Sequence, residues 1–182
     1  MYDAALLYRK SAIRPSGMSD ISNFVLCTIH RPENTDDEEK LRNIFLALDR
    51  IGQEINIVIP LHPRTLKALD NIDLKFDNIK LFSPTGYLEM LWMLENCQFV
   101  ITDSGGLQKE SYFFKKRCLV VRQETEWMEL VESGINIMAG KEENEIIRKA
   151  NEVLKEELSD TKENLFGNGD ASFKVINQIV LK

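Results

Sequence analysis

The sequence predicts an α/β fold, a Rossmann-like three-layer domain built on a parallel sheet. Three observations carry this. Six short runs rich in Val, Ile, Leu and Phe recur through the first 140 residues without polar alternation, as strands buried on both faces do. Helical patterns fall between them, giving the strand–helix alternation of a parallel sheet covered on both sides. The length of 182 residues, with 43% apolar and 29% charged content, suits one hydrophobic core that buries about 70% of the unfolded surface.

The predicted strands are 23–29, 55–61, 79–82, 99–102, 118–121 and 135–138. Helices are expected at 37–53, 65–70, 87–96, 107–114 and 126–133, the first marked by Leu41, Ile44, Leu48 and Ile51 at three-and-four spacing. Thr35, three residues before Glu38, reads as the cap of that first helix. No element is assigned before residue 23. Beyond Gly140 the pattern turns helical, with a stripe of Ile146, Ile147, Ala150, Val153 and Leu154 over 142–158. A turn-rich stretch, 164–170, then leads to a last helix at 171–180. No repeat or linker interrupts the chain, so 1–182 is expected to be a single domain with a helical C-terminal extension over about 141–182.

Composition narrows the function. With 23 Lys and Arg against 29 Asp and Glu, the net charge is −6, which offers no long-range attraction to nucleic acid or an anionic membrane. No apolar run reaches the ~20 residues of a membrane helix, and Met1-Tyr2-Asp3 does not open a signal segment. Cys27, Cys97 and Cys118 are odd in number and lack CxxC spacing. They read as small buried hydrophobes in a reducing compartment, hence a cytoplasmic protein. Nothing in the sequence supplies a metal ligand set, and no cofactor is expected.

In an open parallel sheet, ligands bind beyond the C-terminal ends of the strands. His30 and Arg31 follow the first run, and His62 follows the second. Each fits either a turn with a satisfied histidine or a rim of donors for an anion. The strongest signal is Thr102-Asp103-Ser104-Gly105-Gly106-Leu107-Gln108-Lys109-Glu110, a strand end, a glycine pair and a helix start. Free N–H groups and the positive end of the helix dipole there suit a phosphate, and the same pattern also fits a plain Gly-Gly turn capped by Ser104. Asp103-Ser104-Gly105-Gly106 also matches the nucleophile segment of trypsin-like proteases, which requires an all-β double barrel. Arg122 adds a cation after the fifth run, and Thr125 reads as the cap of the helix that follows. Tyr87, Met90 and Trp92 offer flat cover for a base, with Trp92 better suited to packing on the sheet.

Taken in order, Thr28-Ile29-His30-Arg31-Pro32-Glu33-Asn34, Leu61-His62-Pro63, Pro84-Thr85-Gly86-Tyr87-Leu88, the Ser104-Gly105-Gly106 segment and Arg122-Gln123-Glu124-Thr125-Glu126 resemble the non-hydrolysing UDP-N-acetylglucosamine 2-epimerases. The segment Asn164-Leu165-Phe166-Gly167-Asn168-Gly169-Asp170 is similar to a further motif of that family. The likeness covers nearly the whole chain and corresponds to the family's C-terminal half. It implies a glycosyltransferase-B-like enzyme of two Rossmann-type domains, with UDP held mainly by the C-terminal one. The implied reaction interconverts UDP-GlcNAc and UDP-ManNAc by eliminating and re-adding UDP, in the service of cell-surface polysaccharide synthesis.

On that pattern His30 is the catalytic residue, stabilising the phosphate leaving group. Ser104, Gly105 and Gly106 hold the diphosphate, with Arg31 and Arg122 as cations at the same edge. Glu110 bonds the ribose, and Thr85 and Met90 lie near the uracil. The carboxylates credited with proton transfer belong to the N-terminal domain, so the isolated chain is expected to bind UDP without epimerising its sugar. Met1 then reads as an internal methionine near the interdomain crossover, and a homodimer is the family's frequent assembly. Three positions depart from the best-known members: Thr85 for Gln, Met90 for Phe, and Trp127 for a phosphate-contacting arginine. The Thr125-Glu126-Trp127 version resembles the branch acting on UDP-2,3-diacetamido uronic acids. The donor domain of a glycosyltransferase and a non-catalytic UDP-sugar-binding module are the alternatives.

Overall fold

A computed structural model of the chain describes residues 1–72, 75–156 and 164–180. The strands are β1 (Phe24–Thr28), β2 (Asn56–Pro60), β3 (Ile79–Phe82), β4 (Val100–Thr102), β5 (Cys118–Val120) and β6 (Asn136–Met138). They form one six-stranded sheet in the order β3-β2-β1-β4-β5-β6, with all neighbouring pairs parallel. This is the doubly wound order, and its direction reverses between β1 and β4. Register there sets Thr28 beside Thr102.

The helices are α1 (Tyr2–Arg9), α2 (Pro32–Thr35), α3 (Glu38–Ile51), α4 (Pro63–Leu69), α5 (Tyr87–Asn96), α6 (Gly105–Phe113), α7 (Met128–Glu132), α8 (Glu143–Lys155) and α9 (Ala171–Val180). Successive strand residues face opposite ways, so Val25, Cys27, Ile57, Ile59, Ile101 and Leu119 pack under the apolar stripes of α3 and α8. Phe24, Leu26, Val58, Val100, Cys118 and Val120 pack under α5, α6 and α1 on the other face. The three-layer expectation holds, and all three cysteines are free and buried. Trp92 stacks near Phe24, at 6.4 Å between ring centroids, rather than facing the rim.

Several local expectations are corrected. Strand β3 is an edge strand with Lys80 and Leu81 exposed, so it is not buried on both faces. The cap of α3 is Asp37, whose Oδ1 accepts from the N–H of Lys40 at 3.1 Å. Thr35 is drawn instead into α2, where Pro32 pre-sets the first turn, and its hydroxyl donates to the carbonyl of Arg31. Helix α7 starts at Met128 behind Trp127; the Thr125 hydroxyl, which donates to Gln108, accepts from the N–H of Trp127 ahead of the helix rather than capping it. Helix α1 was not expected at all. The end of the predicted 142–158 helix, at 157–158, lies outside the described residues.

Helix α9 has no buried residue, and Phe173, Ile176 and Ile179 stand in the open. Its start touches α1 through the N–H of Ser172, which donates to Asp3 at 2.8 Å. Leu6, Leu7 and Tyr8 of α1 are exposed nearby in sequence. Among the described residues no helix is long and apolar enough to cross a membrane.

Candidate functional site

The site grows from the reversal between β1 and β4. At their last paired residues the hydroxyls of Thr28 and Thr102 share a buried hydrogen bond of 2.6 Å. The next residue after β4, Asp103, is fully buried. Its carboxylate accepts from the backbone N–H of His30 at 3.0 and 3.1 Å, from that of Arg31 at 2.9 Å and from the side chain of Asn34 at 3.0 Å. Burying a carboxylate is costly unless such donors fill its acceptor sites. Here they fix the loop that carries His30.

Helix α6 begins directly after this knot. Ser104 caps it, its Oγ accepting from the N–H of Leu107 at 3.4 Å, while its own N–H donates to Thr102 Oγ1 at 2.9 Å. Among the described residues no acceptor serves the N–H of Gly105 or of Gly106. The first turn of a helix leaves such donors free, with the positive dipole end beside them.

A cavity of about 350 Å³ opens at this rim. It brings together His30, Thr85, Met90, Ser104, Gly106 and Glu110 of the predicted residues, with His62 and Met1 added to its wall. The rings of His30 and His62 lie 5.5 Å apart. Partial burial and the nearby His62 and Arg31 hold the imidazole of His30 below its ordinary value, against the charge of Asp103, whose Oδ1 lies 3.5 Å from Nδ1. His62 caps α4, its Nδ1 accepting from the N–H of Arg64 at 3.2 Å. That leaves Nε2 as its donor.

Glu110 is the single carboxylate on the cavity wall among the described residues. Burial raises its pKa, while a hydrogen bond from the Tyr87 hydroxyl opposes the rise. The hydroxyl of Thr85 is buried without a hydrogen-bond partner, an unmet group on the wall beside Met90. Among the described residues no group of three His, Cys, Asp or Glu side chains is placed to hold a metal ion.

Arg31, Gly105 and Arg122 lie outside this lining. Arg31 donates to Glu126 at 3.0 Å, and Arg122 donates to Glu126 and Glu33 at 2.6 Å each. Arg122 faces a second cavity of about 250 Å³ shared with Glu33, Lys40 and Lys141. The two glycines also divide. A Cβ on Gly105 would sit 2.7 Å from Glu126 Oε1, whereas one on Gly106 would meet nothing closer than Ser104 Oγ at 3.8 Å. Gly106 is therefore the one that leaves room on the cavity side.

Sequence reading singled out no role for Asp103, Tyr87 against Glu110, or Trp127 against the glycines. The last is a hydrogen bond of 2.8 Å from Trp127 Nε1 to the carbonyl of Gly105.

Comparisons with known proteins bear on this site. The sequence profile of one family, UDP-N-acetylglucosamine 2-epimerase, matches residues 1–180. A Pseudomonas aeruginosa protein, UDP-2,3-diacetamido-2,3-dideoxy-D-glucuronate 2-epimerase, is 41% identical over 96% of this chain and 49% of its own length. A UDP-N-acetylglucosamine 2-epimerase of Methanocaldococcus jannaschii is 37% identical over 85% of this chain and 43% of its own. The crystal structure of the M. jannaschii UDP-GlcNAc 2-epimerase in complex with UDP-GlcNAc and UDP superposes with a TM-score of 0.88 at 32% identity, covering 100% of this chain and 53% of that one. The Neisseria meningitidis enzyme bound to UDP-GlcNAc gives 0.82 at 25%, with the same coverage. The chain spans about half the length of the curated relatives it matches. By sequence profile, identity and fold alike, the chain belongs to the UDP-N-acetylglucosamine 2-epimerase family.

Proposed function

We propose that this chain is the UDP-sugar-binding half, the C-terminal one, of a cytoplasmic UDP-sugar 2-epimerase, an isomerase that interconverts UDP-GlcNAc and UDP-ManNAc by eliminating and re-adding UDP. The observation that carries the reading is the N–H of Gly106, without an acceptor among the described residues, on the same cavity wall as His30 at the reversal point of the sheet. Backbone donors at a helix start suit a diphosphate. Ser104 adds a hydroxyl, Glu110 an acceptor for ribose hydroxyls, and the unmet hydroxyl of Thr85 with Met90 a place for the base.

His30 acts on the leaving group. Burial favours the neutral form of its imidazole. A diphosphate in front and Asp103 behind both favour the imidazolium. As the sugar C1–O bond breaks, charge builds on the departing phosphate oxygen, and a charge-assisted donor there stabilises it more than it does the bound sugar nucleotide. Glu110 is the one carboxylate on the cavity wall among the described residues and is engaged by Tyr87, while Asp103 is spent on the backbone donors behind His30, so proton removal at C2 falls to the half that this chain does not span. The open apolar side chains of α9 support a reading in which another domain covers them.

Titration calorimetry of the chain with UDP tests this. UDP binds, and Gly106→Val abolishes binding with the circular dichroism spectrum kept, because a Cβ at this position on the cavity wall meets nothing closer than Ser104 Oγ at 3.8 Å and the side chain takes up room there. Absence of binding at millimolar UDP overturns the reading. The sugar has a second reading: the 41% relative is named for a diacetamido uronate, and relatives named for UDP-GlcNAc reach 39%. Turnover of each sugar nucleotide, with the other half supplied, separates the two.

A further inference from the structure

Trp127 stands outside the cavity lining, yet its side chain is tied to the phosphate-facing turn. Its Nε1 donates to the carbonyl of Gly105 at 2.8 Å. Its backbone N–H donates to Thr125 Oγ1 at 3.2 Å, and that hydroxyl donates to Gln108 Oε1 at 2.6 Å. Gln108 is fully buried in α6 and also accepts from Asn136 at 3.0 Å. The indole ring is then held on its faces and edge: the ammonium of Lys109 lies 4.3 Å from its centroid, and Phe166 meets it at 5.8 Å in a T-shaped contact. Lys109 is itself gripped by Phe166, at 4.1 Å, and no carboxylate pairs with it among the described residues. Cation–π contact of this kind favours a fixed ring position.

The consequence passes through one peptide bond. The carbonyl of Gly105 and the N–H of Gly106 belong to the same planar trans unit and point in opposite directions. A donor that fixes the carbonyl therefore fixes the N–H. Two glycines in succession leave this unit with little steric restraint of its own. Hydrogen bonding at the carbonyl also polarises the N–H on the far side of the unit. Gly106 is on the cavity wall with its N–H unspent.

We infer that Trp127 is a positioning residue for the diphosphate: its indole N–H aims and polarises the N–H of Gly106, with Lys109 and Phe166 locking the ring. The inference rests on the diphosphate reading of the cavity. It also gives the tryptophan a task in place of direct phosphate contact, since its one polar side-chain atom is occupied by Gly105.

The test compares UDP with uridine on the intact chain by calorimetry and NMR titration. Trp127→Phe keeps an aromatic ring for Lys109 and Phe166 and removes the donor. UDP affinity falls about tenfold, as expected for one lost hydrogen bond felt by a charged ligand, while uridine affinity stays within twofold. Lys109→Met loosens the ring and costs UDP about twofold. If Trp127→Phe loses thermal stability as well, the benzothiophene isostere of tryptophan placed at 127 alone removes the N–H with the shape kept, and the same UDP-specific loss is expected. Unchanged UDP affinity in the donor-free variant, or an equal loss for uridine, overturns the inference. A wild-type chain that ignores UDP overturns instead the diphosphate reading on which it rests.

Discussion

Two carboxylates organise the rim of this sheet, and they do so in opposite ways. Asp103 is fully buried and binds the backbone N–H groups of His30 and Arg31 together with Asn34. Glu126 is exposed, and the side chains it binds among the described residues are the guanidinium groups of Arg31 and Arg122. Arg31 belongs to both, by its backbone to the first and by its side chain to the second. A buried acceptor of backbone donors decides where the chain goes, because leaving those donors unmet costs about 1–3 kcal/mol each. An exposed ion pair contributes about 0.2–1 kcal/mol and weakens with salt. The path of the His30 loop is thus built in, while the direction of the arginines is adjustable.

The largest test of this contrast is Asp103→Ala. It removes the acceptor of the His30 and Arg31 N–H groups and one of the two acceptors of the Asn34 amide, which still reaches the carbonyl of Val121, so unfolding stability falls by about 3–5 kcal/mol, equivalent to a Tm loss of about 10 °C for a chain of this length. Asp103→Asn is nearly as damaging, since its amide offers two donors where only acceptors fit. Chemical denaturation of both variants checks this, and a loss under 1 kcal/mol would reduce Asp103 to an ordinary turn residue.

That importance was not legible in the sequence, where Asp103 is simply the residue that follows a strand. What the sequence revealed was whatever acts locally. The apolar runs located six strands, and position just after a strand marked His30, Ser104 and Gly106. Hidden features depend on partners far along the chain. Asp103 meets His30 across 73 residues, and Trp127 meets Gly105 across 22. Helix α1 was invisible for the same reason: it buries only Ala5 and takes its place from outside, as Tyr2 stacks on Phe113 at 4.5 Å. In α2, a four-residue turn opened by Pro32 diverts Thr35 from the capping role its spacing suggested. Local pattern fixed the elements and the edge they share, and tertiary contacts chose which side chains at that edge are spoken for.

A second, intermediate effect sharpens the buried side of the comparison. His30 sits against Asp103, yet burial wins and its folded-state pKa lies below the ordinary value. The unfolded chain therefore binds the proton more readily. Stability from this group is complete above about pH 6.5 and is lost as pH falls through the folded value. His30→Gln removes that component, so the difference in denaturation midpoint between wild type and variant narrows from pH 7.5 towards pH 5. A difference that is constant with pH would mean that the imidazole is not held neutral.

The smallest effect is on the exposed side. Burial of Glu126 is outweighed by its own backbone N–H and by Arg122 and Arg31, leaving it below the ordinary carboxylate range. Its Oε1 also lies so close to Gly105 that a Cβ there would come within 2.7 Å, which places a negative charge beside the start of α6. Glu126→Gln keeps the size and removes the charge, and stability moves by less than about 1 kcal/mol because only solvent-facing pairs are lost. Arg31 and Arg122 are then free of one competitor, and UDP affinity rises two- to fivefold at low ionic strength. The gain shrinks as salt is raised to 0.5 M, where exposed charges are screened within about 5 Å. Calorimetry at the two salt concentrations checks it. A loss of UDP affinity would mean that Glu126 holds the arginines in their working positions, making the exposed net as fixed as the buried knot.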